Sequence, residues 1–240
     1  MIKLKDVIEK VYANDLSELS LFKTKQIINT INPHSYCEAK KDPFFSQALN
    51  ESNVLLPDGT GIVLATKVLN GKVIKKIAGA DVHQFLLEEA ALKKLNVFYL
   101  GASENTLSLI NTRIKKEFPS ITVNSYSPPY KPEFSKEDNV KMIAAVNKWK
   151  PDILFVGMTA PKQEKWVHTN SVFLDVKVIT CIGAVFDFYA GTVKRSSPFW
   201  IKLGLEWLPR LLREPKRLWK RNFVSTPLFL WDLLKAKNYK

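Results

Sequence analysis

The stretch "VLLPDGTG" sets the carboxylate of Asp58 between a short apolar run and two glycines. An Asp-Gly pair after a strand is good turn chemistry. The same position would also aim a base at a ligand, and a hydroxyl nucleophile attacks well only once its proton is taken. "APKQEKWV" places Gln163 and Glu164 in the first turn of a helix, where each would face either a ligand or solvent. "FDFYAG" holds Asp187 in an otherwise apolar segment, and a buried acid needs a partner or a task. A cationic group follows: Arg210, Arg213, Arg217, Lys220 and Arg221 recur at intervals of three, four, three and one, which keeps them on one face of a helix. Leu205, Leu208, Leu212 and Trp219 fall opposite, and Pro209 and Pro215 are expected to divide the stretch into short helices. Guanidinium forks match a diphosphate. A basic face carrying tryptophans also suits an anionic lipid surface or nucleic acid.

The elements that must position these groups show a repeated rhythm from Leu95 onward. "LNVFYLGASENTLSLINTRIKKEF" reads as a buried strand, a turn at Gly101 and a helix capped by Ser103. "ITVNSY" is a further strand, and Ser135 and Asp138 have the spacing of a capping box. "PDILFVGMTAPKQEKWV" repeats the unit with Gly157 at the turn and Pro161 as first helical residue. "VKVITCIGAVFDFYAG" repeats it with Gly183. This alternation predicts an α/β fold: a Rossmann-like, mainly parallel sheet flanked by helices. Gly101, Gly157 and Gly183 then gather at the carboxyl ends of strands, where open sheets bind ligands and helix N-termini face phosphate. Each glycine has an equally simple reading as a turn former, and no GxGxxG or GxxxxGK[ST] is present.

Composition narrows the class. With 46% hydrophobic residues in 240, the chain is globular. Cys37 and Cys181 lie far apart, and neither they nor the three histidines form a metal-binding motif, so no metal is expected and a reducing cytoplasm fits. The first twenty residues lack the apolar core of a secretory signal and read as an exposed helix. No run reaches the roughly 18 to 20 apolar residues that span a bilayer. Of the net charge of +13, residues 194–240 carry +9, from 12 basic and 3 acidic side chains, and they hold four of the six tryptophans. We therefore expect a body, 1–193, able to fold without a basic, amphipathic, helical appendage, 194–240.

In order along the chain, "TIN" at Thr30–Asn32, "LPDGTGIV", "IAGAD", "PDILFVGMTAPKQE", "FDFYAG" and "GLEWLPRLLREPKRLWKR" resemble the WecG/TagA/CpsF family, glycosyltransferase family 26, from about Lys23 to Arg221. The ordered set is specific where any single motif is weak. The resemblance implies an enzyme at the cytoplasmic face of the membrane. It would move a hexose-type sugar from a UDP-sugar to a polyprenyl-diphosphate-linked sugar in bacterial surface polysaccharide synthesis. N-acetylmannosamine, its uronic acid, glucose and glucuronic acid are the donors it suggests. It also implies that Asp58 is the general base, with Thr30 and Asn32 in the same pocket. Gln163, Asp187 and Lys76 fall on further pocket positions, and Arg210, Arg217 and Lys220, with Arg221 adjacent, on cations near the diphosphate. The chain departs from the family's Gly-Gly loops at Gly101-Ala102 and Gly183-Ala184.

On that reading, direct displacement inverts the anomeric carbon, and the leaving UDP needs positive groups or a metal. There is no DxD to suggest a metal clamp, so no cofactor is expected beyond the UDP-sugar, and the cationic face takes that part. The implied partners are the UDP-sugar, the lipid-linked acceptor and an anionic membrane surface, with no nucleic acid; a homo-oligomer stays open. The alternative from another class is a non-catalytic protein that binds anionic lipid or nucleic acid, which would leave Asp58 idle.

Overall fold

The computed structural model describes residues 2–194, 196–197, 199–200 and 207–238. Arg195 and Leu205 lie outside the described residues, as do the side chains of Arg210, Arg213 and Arg217. Six strands form one sheet: β1 (Gln26–Ile31), β2 (Val54–Pro57), β3 (Asn96–Gly101), β4 (Thr122–Tyr126), β5 (Ile153–Gly157) and β6 (Val178–Cys181). Their order is β2-β1-β6-β5-β3-β4, and every pairing is parallel. Adjacent β3 and β5 feed crossovers that leave in opposite directions, to β4 and to β6. This is the switch point at which open α/β sheets leave a crevice.

Side-chain alternation along the strands sorts the core into two faces. Val97 and Tyr99 of β3 face α5 (Gly79–Lys93), α6 (Glu104–Glu117) and α9 (Gly183–Ala190), with Leu86, Ile110 and Phe186 in the same cluster. Phe98 and Leu100 face the other side, where Met142 of α7 (Lys136–Trp149) and Trp166 of α8 (Lys162–Asn170) pack. Beside that cluster, α1 (Leu4–Lys10), α2 (Pro33–Ala39), α3 (Pro43–Asn50) and α4 (Thr60–Asn70) cover β1 and β2. The result is a three-layer α/β/α unit.

The caps form as their spacing requires. Ser103 accepts from the Thr106 amide, and Ser135 and Asp138 close a reciprocal box. Pro161 differs by one place: it is the N-cap of α8, following a cis Ala160-Pro161 bond. The first helix is not simply exposed, because Leu4, Val7 and Ile8 are buried and Tyr12 N–H continues the chain onto the Leu55 carbonyl.

The C-terminal segment forms α10 (Trp207–Arg213), α11 (Pro215–Lys220), a π-turn (Arg221–Ser225) and α12 (Thr226–Asn238). Among the described residues Pro215 divides the helices, as the first residue of α11, whereas Pro209 lies within α10. Phe229 and Leu233 of α12 are buried in the cluster over β1 and β2, and Asp232 accepts from Lys40 Nζ at 2.6 Å and Tyr36 Oη at 3.1 Å. The body therefore shares its core with the last helix.

Candidate active site

Asp58 stands at the carboxyl end of β2, and its N–H donates to the Ile31 carbonyl at 2.9 Å, continuing the β1–β2 ladder by one residue. Asn32 follows β1 and caps α2, its Oδ1 accepting from the His34 and Ser35 amides at 3.0 Å each. Because Oδ1 is committed to the cap, Nδ2 is turned outward, and it donates to Asp58 Oδ2 at 3.4 Å. The two junctions interlock further through Pro33, since a methyl group on Gly61 would lie 2.6 Å from the Pro33 Cγ. Ile77 N–H donates to the Pro57 carbonyl, which brings the half-buried Lys76 to the same strand end. Thr30, facing the α5 side, is level with Ile182, because Ile28 pairs with Thr180 two residues earlier.

A second group joins the β5 and β6 ends. Gln163 is buried; its Oε1 accepts from the Met158 and Gly183 amides at 3.1 Å each, and its Nε2 donates to Glu164 Oε1 at 2.8 Å. Neither Gln163 nor Glu164 is solvated. Burial pushes the Glu164 carboxyl up to about 7, against the lowering effect of the Gln163 hydrogen bond, and its Oε2 has no partner among the described residues. Gln163 is thus a strut between two strand-end loops, with both ends of its amide engaged.

The three glycines have packing reasons of their own. Gly101 has φ +120°, in the region that favours glycine, and a side chain there would collide with the Gly157 carbonyl. That carbonyl accepts from the Ala102 N–H at 3.0 Å, joining the carboxyl ends of β3 and β5. A methyl group on Gly157 would sit 2.5 Å from the Phe186 ring, and one on Gly183 would press on the Met158 carbonyl and, at 2.8 Å, on Gln163 Oε1.

Asp187 is half-buried rather than enclosed. It lies in the second turn of α9, and Thr192 Oγ1 donates to its carbonyl at 3.2 Å and its Oδ1 at 3.4 Å. The backbone carries Arg210 on α10 and Arg217 on α11. Lys220 ends α11 and Arg221 opens the π-turn, and both are within electrostatic range of His34, two residues from Asn32. Burial and then Arg221 hold the His34 imidazole below its usual range, with Lys220 and Lys41 adding to Arg221 and Glu38 opposing. The sequence did not single out His34 because its neighbours come from the far end of the chain.

Leu212 and Trp219, expected on the face opposite the arginines, are exposed at 76% and 52%, while Leu218 is buried. Among the described residues no helix is long and apolar enough to cross a membrane, and no three His, Cys, Asp or Glu side chains gather as a metal site. A concavity lined by Phe22, Lys23, Lys25, Asp152 and Lys177 lies at the opposite, amino-terminal end of the strands. Two of its lysines are engaged by the chain itself: Lys25 Nζ donates to the Ser171 and Leu174 carbonyls, and Lys177 pairs with Asp152.

A carboxylate in contact with an amide at the ends of β1 and β2, a topological switch between β3 and β5, and the cations Lys220 and Arg221 in electrostatic range of His34 suit transfer of a group from a phosphorylated donor to a hydroxyl. Comparison with known proteins bears on the same chemistry. A protein of Bacillus subtilis (strain 168), named N-acetylglucosaminyldiphosphoundecaprenol N-acetyl-beta-D-mannosaminyltransferase, is 33% identical over 235 residues, 98% of this chain and 86% of that protein. Proteins of the same name from Bacillus spizizenii (34% over 208 residues, 87% and 78%) and Staphylococcus aureus strain MW2 (27% over 237 residues, 99% and 88%) are also similar. The profile described as "Glycosyl transferase WecG/TagA/CpsF family" matches residues 2–240, and with that match over almost its whole length the chain belongs to this family of glycosyltransferases.

Proposed function

We propose that the chain transfers N-acetylmannosamine from a UDP-linked donor to N-acetylglucosaminyl-diphosphoundecaprenol, with Asp58 as general base. The observation that carries the proposal is the Asn32–Asp58 contact at the carboxyl end of the sheet. The choice of sugar and acceptor is supported by the names of the relatives. Asp58 would take the proton of an acceptor hydroxyl as its oxygen bonds to the anomeric carbon of the donor. The bond from that carbon to the β-phosphate oxygen breaks, and UDP leaves with the electron pair. Direct displacement inverts the centre. Asn32, itself fixed by the cap of α2, would hold the carboxylate in position.

Charge gathers on UDP as it leaves, and Lys220 and Arg221, with Arg210 and Arg217 on the helices before them, are the groups we assign to it. Gly101 and Gly157 at the switch point, with the Gln163–Gly183 strut beside them, would floor the nucleotide crevice. Lys76, Thr30 and Asp187 are assigned to the sugar side of the pocket. No metal is required by this scheme.

The lipid-linked acceptor places the reaction at a membrane surface. We assign contact with anionic lipid to the exposed Trp219, Phe223 and Trp231 and to the lysines of the same segment, at the inner face of the membrane. A UDP-release screen over several UDP-sugars, with a short-chain N-acetylglucosaminyl-diphospholipid as acceptor and with EDTA present, tests the whole reading. Release with UDP-N-acetylmannosamine alone supports it. Release with another sugar moves the donor assignment, and no release with any donor ends it.

A further inference from the structure

We propose that His34 is a positioning residue for transfer, a latch that fastens the cationic segment ending at Lys220 and Arg221 to the helix whose cap residue contacts Asp58. The inference rests on the assignment of those cations to the donor diphosphate.

The latch is built from four contacts. His34 Nδ1 lies 2.8 Å from Ser225 Oγ, and one turn further along α2 Cys37 Sγ donates to the Ser225 carbonyl at 3.3 Å. Ser225 is buried and ends the π-turn that begins at Arg221, in which Thr226 Oγ1 donates to the Arg221 carbonyl at 3.3 Å. Single π-turns are uncommon and cluster at functional sites, because the extra residue redirects what precedes it. Here Lys220 and Arg221 precede it. On the other side, His34 N–H donates to the same Asn32 Oδ1 whose fixed position turns Nδ2 to Asp58. One residue therefore links the neighbour of the base, through its backbone N–H, to the turn that follows the cations, through its imidazole.

Arg221, Lys220 and Lys41 all disfavour protonation of His34 and only Glu38 favours it, while the nearby Asp232 of α12 is engaged by Lys40 and Tyr36. A neutral imidazole beside two cations can exchange a hydrogen bond with a hydroxyl without adding a third charge where a diphosphate is to bind. The same electrostatics run in reverse: an anion on Lys220 and Arg221 relieves the repulsion that His34 feels.

The test uses the full chain with His34→Ala, His34→Asn, Ser225→Ala and the double alanine variant. Asn places an amide where Nδ1 now lies. Tyr36→Phe, which removes a hydrogen bond from the same helix on its α12 side, is the packing control. Turnover, donor KM, UDP affinity by calorimetry and Tm are measured for each. The expected result is a loss of about tenfold in kcat/KM for either alanine variant, no further loss in the double variant, and recovery to within about threefold in His34→Asn. Tyr36→Phe is expected to lower Tm and leave the kinetics alone. Unchanged kcat and KM in His34→Ala, additive losses, or an equal kinetic loss in Tyr36→Phe at the same drop in Tm overturn the latch while leaving the donor assignment intact. A wild-type chain that neither binds nor releases UDP overturns both.

Discussion

Asn32 donates to Asp58 across 3.4 Å with an amide whose other end is fixed by two backbone N–H groups of α2. The orientation of the Asn32 amide is therefore set by helix capping, and Asp58 has a neighbour whose position does not depend on it. Asp58→Asn keeps the shape and the turn but removes the proposed base. Turnover should fall by about 10²–10⁴, the usual worth of a general base, with UDP affinity unchanged by calorimetry. Retained turnover would move the base elsewhere.

Asn32→Ala removes both the cap and the contact. Thermal unfolding should show a loss of about 1 kcal/mol for the cap, and the fall in kcat should exceed what that loss explains at a temperature where the chain is folded.

Gly157→Ala drives a methyl group into the Phe186 ring, which is itself buried against Tyr99. Overpacking of this kind costs about 1–3 kcal/mol, read as a lower midpoint in urea. A stable Gly157→Ala chain that has lost UDP binding would instead assign the glycine to the ligand.

Glu164 gives stability a pH dependence of defined sign. Its folded value of about 7 lies above the ordinary 4.5, so the folded chain keeps a proton that the unfolded chain releases. This contribution is favourable at low pH and is lost as pH rises from about 4.5 to 7, by up to about 3 kcal/mol. Glu164→Gln should match the wild type near pH 4.5 and exceed its Tm at pH 8. Parallel Tm curves across that range would show that the carboxyl does not titrate there.

Phe229 and Trp231 separate the packing of α12 from its proposed membrane contact. Phe229→Ala empties a fully buried site and should cost about 3–5 kcal/mol, whereas Trp231→Ala, 58% exposed, should change stability by less than about 0.5 kcal/mol. Sedimentation with anionic vesicles should weaken for Trp231→Ala. Vesicle binding equal to wild type would remove that residue from the membrane contact.

The alternation of buried strand, glycine and capped helix after Leu95 was legible along the chain, because hydrogen bonding and side-chain period are local properties. Ser103, Ser135 and Asp138 act within three residues, and the parallel sheet follows from their repetition. The order of the motifs likewise pointed to the family. What local pattern does not carry is which distant residues meet. Asn32 and Asp58 are 26 residues apart and His34 and Ser225 are 191 apart, and both pairs exist only because β1 lies beside β2 and α12 folds back over them. α12 shows the limit most plainly. It is apolar on several sides, so Phe229 and Leu233 could not be told from Leu230 and Leu234 by period, and burial was decided by the space left between α2 and α4. Gln163 and Glu164 were ambiguous for the same reason: a first-turn residue faces water or a neighbour according to what the next strand brings, and here β6 brought Gly183.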